Sequence, residues 1–336
     1  MHLSRFPRFK LAHLPTPLEP MTNLSKMLGG PNLWIKRDDC TGLATGGNKT
    51  RKLEFLIGDA LSKGADTIVT QGATQTNHGR QTVAACQIAG SLECHLLLER
   101  RVSTDVMGDD YEQQGNILID KLFGAKLSFY QAGLDMNAIG QQYTDGLCSQ
   151  GKKAYFIPGG GSNAIGALGY VNCAFELMAQ ANSMYLDINH LVTATGSSGT
   201  QAGLVVGMSG PQSIPVTGIS VKAPKDKQVD MVLNTARATF RYMGMDENTI
   251  NKKTILVDDA YTGPAYGIPT EATLEAIKLC ARTESILLDP VYSGKGMAGL
   301  IGLIRQDYFN KGDNVVFLHT GGSLGLFAYK DLIAGI

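Results

Sequence analysis

The chain has 336 residues, 43% of them hydrophobic, which is enough apolar material for one large core or two ordinary ones. Lys plus Arg and Asp plus Glu number 30 each, so no net field draws nucleic acid or an anionic membrane, and a small uncharged or zwitterionic ligand is the partner to expect. The six cysteines show neither CxxC nor mixed Cys/His ligand spacing, which excludes a patterned metal site and points to free thiols in a reducing compartment, the cytoplasm.

Residues 1–14 carry basic side chains but no apolar signal core, and no later apolar run is long enough to span a bilayer. The prolines of Leu14-Pro15-Thr16-Pro17-Leu18 enforce an extended path. A short helix over Met21 to Leu28 and a strand over Leu33 to Arg37 follow. That strand leads through Asp38-Asp39 to the turn Gly46-Gly47-Asn48, and Lys49 comes just ahead of a helical apolar pattern at Leu53, Leu56 and Ile57. Such a turn presents one amine to a cavity, although a lone lysine is more often a solvated surface charge.

From Leu53 to Ile157, helical patterns alternate with short apolar strands at 67–70, 94–98, 126–130 and 154–157, the pattern of a parallel α/β lobe. Pro158-Gly159-Gly160-Gly161 breaks it, and a second α/β run follows, with strands at 190–194, 216–221, 253–257 and 315–318.

The loop Thr195-Gly196-Ser197-Ser198-Gly199-Thr200 joins a strand to a helix over Gln201 to Met208. Its backbone N–H groups, with the hydroxyls of Ser197, Ser198 and Thr200, suit a terminal phosphate. It is not GxGxxG, and the next strand ends at Lys222 where a dinucleotide site needs an acid. Around Lys49, Asn48 separates Gly47 from the lysine, which breaks the P-loop pattern as well. An amine, a phosphate cradle and no metal cluster together describe a site for pyridoxal phosphate.

Three further stretches carry candidate partners. Thr320, after the strand at 315–318, could meet an unprotonated ring nitrogen or simply cap a turn. In Gln75-Thr76-Asn77-His78, Asn77 suits the ring hydroxyl and the neighbouring donors a substrate carboxylate, with an N-cap as the structural alternative. Tyr292 could stack on the ring or move a proton, as could the loop residue Tyr266; both could equally be core aromatics.

The blocks Phe6-Pro7-Arg8, Pro15-Thr16-Pro17-Leu18-Glu19, Ile35-Lys36-Arg37-Asp38-Asp39, Gly46-Gly47-Asn48-Lys49, Asn163 to Tyr170, Leu288 to Lys295 and His319 to Gly322 resemble, in order and over nearly the whole chain, one family of pyridoxal phosphate enzymes. That family includes D-cysteine desulfhydrase, L-cysteate sulfo-lyase and aminocyclopropane carboxylate deaminase. The resemblance implies a two-domain, tryptophan-synthase-β-like fold of type II, with mostly parallel twisted sheets flanked by helices. A larger cofactor domain would comprise 1–53 plus 163–336 and a smaller one 54–162, in a homodimer. It implies Lys49 as the Schiff-base lysine, Asn77 on the ring hydroxyl, Gly196 to Thr200 as the phosphate cup, Tyr292 against the ring and Thr320 at its nitrogen.

Thr76 stands where most relatives have serine, and its methyl is expected to narrow the carboxylate site. Ser293 replaces the acid of the deaminase pattern, which argues against cyclopropane opening. The run Trp34 to Leu43 followed by Thr45 looks most like the sulfo-lyases, so β-elimination of sulfite from L-cysteate is expected ahead of sulfide from D-cysteine.

Overall fold

The computed structural model describes residues 2–90, 92–103, 107–210 and 213–333. Its strands are β1 (Leu18–Pro20), β2 (Asn32–Arg37), β3 (Thr67–Ala73), β4 (Glu93–Arg100), β5 (Lys126–Gln131), β6 (Ala154–Ile157), β7 (His190–Thr195), β8 (Val216–Ser220), β9 (Leu256–Asp258) and β10 (Asn314–His319). Helices α1 (Thr22–Leu28), α2 (Lys49–Ser62), α3 (Asn77–Ile88), α4 (Asn116–Leu122), α5 (Met136–Ser149), α6 (Ala164–Ser183), α7 (Gly199–Gly207), α8 (Lys225–Tyr242), α9 (Glu271–Glu284) and α10 (Ser293–Arg305) connect them.

The strands form two sheets. Six, in the order β1-β2-β10-β7-β8-β9, take their residues from 18–37 and 190–319; four, in the order β5-β4-β3-β6, lie within 67–157. Every neighbouring pair is parallel except β1 with β2, so the sheets need helical crossovers and covered faces. Strand alternation does the covering: Val316 and Leu318 of β10 pack with α6, α7 and α8, while Val315 and Phe317 face α1, α9 and α10.

The apolar periodicity locates the helices but places several starts late. Helices α2, α3, α7 and α10 begin at Lys49, Asn77, Gly199 and Ser293, two to four residues before the positions 53, 80, 201 and 295 at which their patterns become readable. Their polar first turns bury no apolar side chain and so carry no periodic signal. These early turns bring the helix N-termini up to the cleft between the sheets, where the C-terminal ends of β3, β7 and β10 also meet.

Candidate active site

Helix α2 is buried along most of its length and is fixed from one side by ion pairs. Arg51 donates from Nε and Nη2 to Asp38 at 2.8 Å each, and from Nη1 and Nη2 to Glu176 at 3.0 and 2.8 Å. Lys36 donates to Glu176 at 2.6 Å, and Tyr170 to Asp38 at 2.6 Å. Burial works to raise the Asp38 pKa, but the charge and hydrogen bonds of Arg51 hold it below the ordinary carboxylate value. This network pins the chain on both sides of the turn. At Gly46, with φ of 75°, a Cβ would lie 1.9 Å from the Asp39 carbonyl oxygen, so only glycine fits.

Asn48 ties the turn to the two distant stretches. Its N–H donates to the Thr320 carbonyl at 3.0 Å, and its Nδ2 donates to Thr200 Oγ1 at 3.0 Å. Lys49, the next residue, therefore projects into a cavity of about 650 Å³ lined also by Asn77, Gly196, Tyr292 and Thr320. Its Nζ donates to Asn48 Oδ1 at 3.1 Å. Burial lowers its pKa to about 8, only partly offset by the charge of Asp289.

The cup at 196–200 is ready for an anion. Gly196, Ser197, Ser198 and Thr200 line the cavity at the start of α7, while the N–H of Gly199 is turned to Ser162 Oγ at 3.1 Å and Gly199 itself is not on the lining. Ser197 Oγ accepts from Ser162 at 2.9 Å and Thr200 Oγ1 accepts from Asn48, which leaves both hydroxyl protons free to donate. Ser198 is held by Thr235 at 2.7 Å, and Thr195 accepts from Gln228 at 3.0 Å. Beneath the cup lies Lys52, one helical turn from Lys49, donating to the Gly160 carbonyl and Ser162 Oγ at 3.0 and 3.2 Å. Burial and the nearby Lys49 charge push its pKa well down. A Cβ on Gly199 would sit 2.9 Å from Lys52 Nζ, so the glycine brings the lysine close to the cup. The sequence reading missed Lys52 and Asn48; the i, i+3 spacing of Lys49 and Lys52 on one helix face was the available signal.

On the opposite wall, Asn77 Oδ1 accepts from Arg80 at 3.0 Å and Asn116 at 3.1 Å, which orients Nδ2 as the free donor. Thr76 caps α3, accepting from Gly79 N–H at 3.2 Å. Its methyl packs where a Cβ on Gly79 would be 2.5 Å away, so a glycine absorbs the bulk expected to narrow the site. His78 also lines the cavity, and its ring Nε2 is 2.8 Å from Thr70 Oγ1. Thr70 donates its own proton to the Ile157 carbonyl, so the ring is neutral and protonated at Nε2, and burial pushes its pKa well down. Gln75 is not on the cavity lining; its amide holds the Tyr111 and Gln114 carbonyls and the Asn116 N–H, which braces the loop ahead of Asn116.

Tyr292 and Tyr266 both line the cavity and their hydroxyls are hydrogen-bonded to each other. The Tyr292 ring edge is 3.9 Å from where a Cβ on Gly196 would stand, which sets it beside the cup. Asp289 fixes that tyrosine by accepting from the N–H groups of Val291, Tyr292 and Ser293 at 2.9, 2.8 and 2.7 Å. Thr320 lines the cavity, its carbonyl engaged by Asn48, and its hydroxyl makes no hydrogen bond among the described residues.

The residues fit pyridoxal phosphate. Lys49 lines the cavity and buried Lys52 lies one helical turn behind it, and each donates only to neutral oxygens, so a phosphate would supply the counter-charge they lack. No cluster of metal-binding side chains occurs among the described residues.

Comparisons with known proteins agree. D-cysteine desulfhydrase of Salmonella paratyphi C (strain RKS4594) is 44% identical over 329 residues, covering 98% of each chain. The crystal structure of an ACC deaminase homologue superposes with a TM-score of 0.88 at 34% identity, over 100% of this chain and 99% of that one. That of an O-ureido-L-serine synthase shares the fold, with a TM-score of 0.64 at 14% identity over 94% and 92%. The architecture is thus the mostly parallel α/β fold of type II pyridoxal phosphate enzymes. The family model described as pyridoxal-phosphate dependent enzyme matches residues 9–321, and with Lys49 poised between a phosphate cup and an unpartnered threonine hydroxyl the chain belongs to that family.

Proposed function

We propose that this enzyme is a carbon–sulfur lyase that removes the β-substituent from a three-carbon sulfur amino acid, leaving pyruvate and ammonia. The observation that carries the reading is the depressed pKa of Lys49, set between the phosphate cup and Thr320. Bound pyridoxal phosphate supplies an electrophilic aldehyde and a ring that withdraws electrons from the substrate's α-carbon.

The protein's own groups do the rest. The N–H groups at the start of α7, with Lys52 below them, hold the phosphate. Asn77 Nδ2 would serve the ring hydroxyl and the Thr320 hydroxyl the ring nitrogen, a neutral partner that would leave the nitrogen unprotonated and favour elimination over transamination. Thr76 and the first N–H groups of α3 hold the substrate carboxylate. Lys49, neutral above about pH 8, takes the α-proton through Nζ. Tyr292, linked to Tyr266, holds a proton near the departing group.

Two substrates compete. D-cysteine is supported by the 44% identical desulfhydrase, and L-cysteate by the run from Trp34 to Thr45. Purified enzyme given each stereoisomer of cysteine and cysteate decides between them: sulfide from D-cysteine with no sulfite would settle on the first, and sulfite from L-cysteate on the second. Pyruvate from none of the four would refute the lyase reading. The proposal includes a homodimer, the division into 1–53 plus 163–336 and 54–162 that sheet membership supports, and a cytoplasmic location consistent with six free thiols.

A further inference from the structure

The mouth of the cavity carries cations that none of the steps above uses. Arg101, just past the end of β4, and Lys222, just past β8, both line it. They come from different sheets and converge on one ring: the Arg101 guanidinium carbon lies 5.4 Å from the Tyr266 centroid and Lys222 Nζ lies 5.8 Å from it. Lys227, on the first turn of α8, lines the same cavity. Among the described residues one carboxylate answers these charges, Glu99, which bonds Arg101 through Nε. Two like charges held against one aromatic ring repel each other, and an anion between them would remove that cost.

Their position says which anion. Contacts run from Gly196 to Tyr292, from Tyr292 to the Tyr266 hydroxyl, and from the Tyr266 ring to the two cations. The cup takes the cofactor's phosphate and the start of α3 takes the α-carboxylate, so the group left to face Arg101 and Lys222 is the one on the substrate's β-carbon. A thiol gives a guanidinium little to hold. A sulfonate is charged at every working pH and offers several oxygens to the planar fork.

Resting on the lyase reading, we propose that Arg101 and Lys222 form the specificity subsite for an anionic β-substituent, making sulfonate-bearing cysteate the preferred substrate over cysteine. The test uses the holoenzyme at pH 7 and two ligands with no amine to displace Lys49, 3-sulfopropanoate and 3-(methylsulfanyl)propanoate, whose thioether does not add to the cofactor, titrated by calorimetry. The parent should bind the sulfonate tighter by about tenfold or more, and Arg101→Gln with Lys222→Gln should bring the ratio of the two affinities close to one. The single Lys222→Gln variant should move the ratio part of the way, and bound cofactor, read from its absorbance, should stay at parent level in both. An unchanged ratio in the double variant overturns the subsite. So does a loss that tracks loss of cofactor, which would give the cations to the phosphate instead. Pyruvate assays on the parent judge the lyase reading separately, because the affinity ratio is measured without turnover.

Discussion

Helix α2 carries two buried charge clusters on nearly opposite faces, and they are built on contrary plans. Toward the chain's lead-in, Arg51 and Lys36 are matched by Asp38 and Glu176, each cation with a carboxylate within 3.0 Å. Toward the cavity, Lys49 and Lys52 have neutral oxygen partners only. Burial is severe on both faces, so the difference lies in the counter-charge. A complete cluster fixes geometry, and an incomplete one leaves attraction unspent for a ligand.

The sharpest break comes from Lys49→Ala, which should lower turnover by about 10³-fold or more while the far-UV spectrum stays native. Retained turnover would place the reactive amine elsewhere. Cutting the complete cluster should instead damage the fold: Arg51→Met leaves Asp38 buried and unpaired and should cost about 3–5 kcal/mol in a urea melt. A loss confined to activity, with stability intact, would erase the contrast. Lys52→Met should weaken cofactor affinity about 10–100-fold by equilibrium dialysis, the worth of a charged hydrogen bond, with little change in melting of the cofactor-free protein.

The smallest effect is a matter of pH. Burial disfavours the Lys49 ammonium, so its neutral form prevails above about pH 8, where an ordinary lysine would wait until 10.5. Cofactor uptake by the cofactor-free protein, which needs the neutral amine, should accordingly rise with pH and level off a little above 8. A plateau near 10.5 would mean that the amine is solvated. For stability the sign is the same: the unfolded chain binds the Lys49 proton first, so stability falls as pH drops from the ordinary lysine value of 10.5 toward about 8, and this contribution is constant below that.

Much of this site was legible in the chain because glycine turns and hydroxyl loops have narrow physical uses. Lys49, Gly196, Ser197, Ser198, Thr200, Asn77, Tyr292 and Thr320 could be singled out and do meet around one cavity. Gln75 could not be told from its neighbours, since a polar side chain beside a site is as free to brace a loop as to face a ligand. Lys52 and Arg101 escaped notice for the converse reason, that lysine and arginine in a charge-balanced sequence read as surface.

What the sequence determined by itself was local: alternation of helix and strand, the turns that only glycine permits at Gly46, and the loop chemistry that suits a phosphate. Tertiary structure alone decided which cations go unpaired, because a charge has a partner or lacks one only once strands far apart in sequence are brought side by side. Coulomb attraction and burial depend on distance through space, and the order of residues along the chain does not fix that distance.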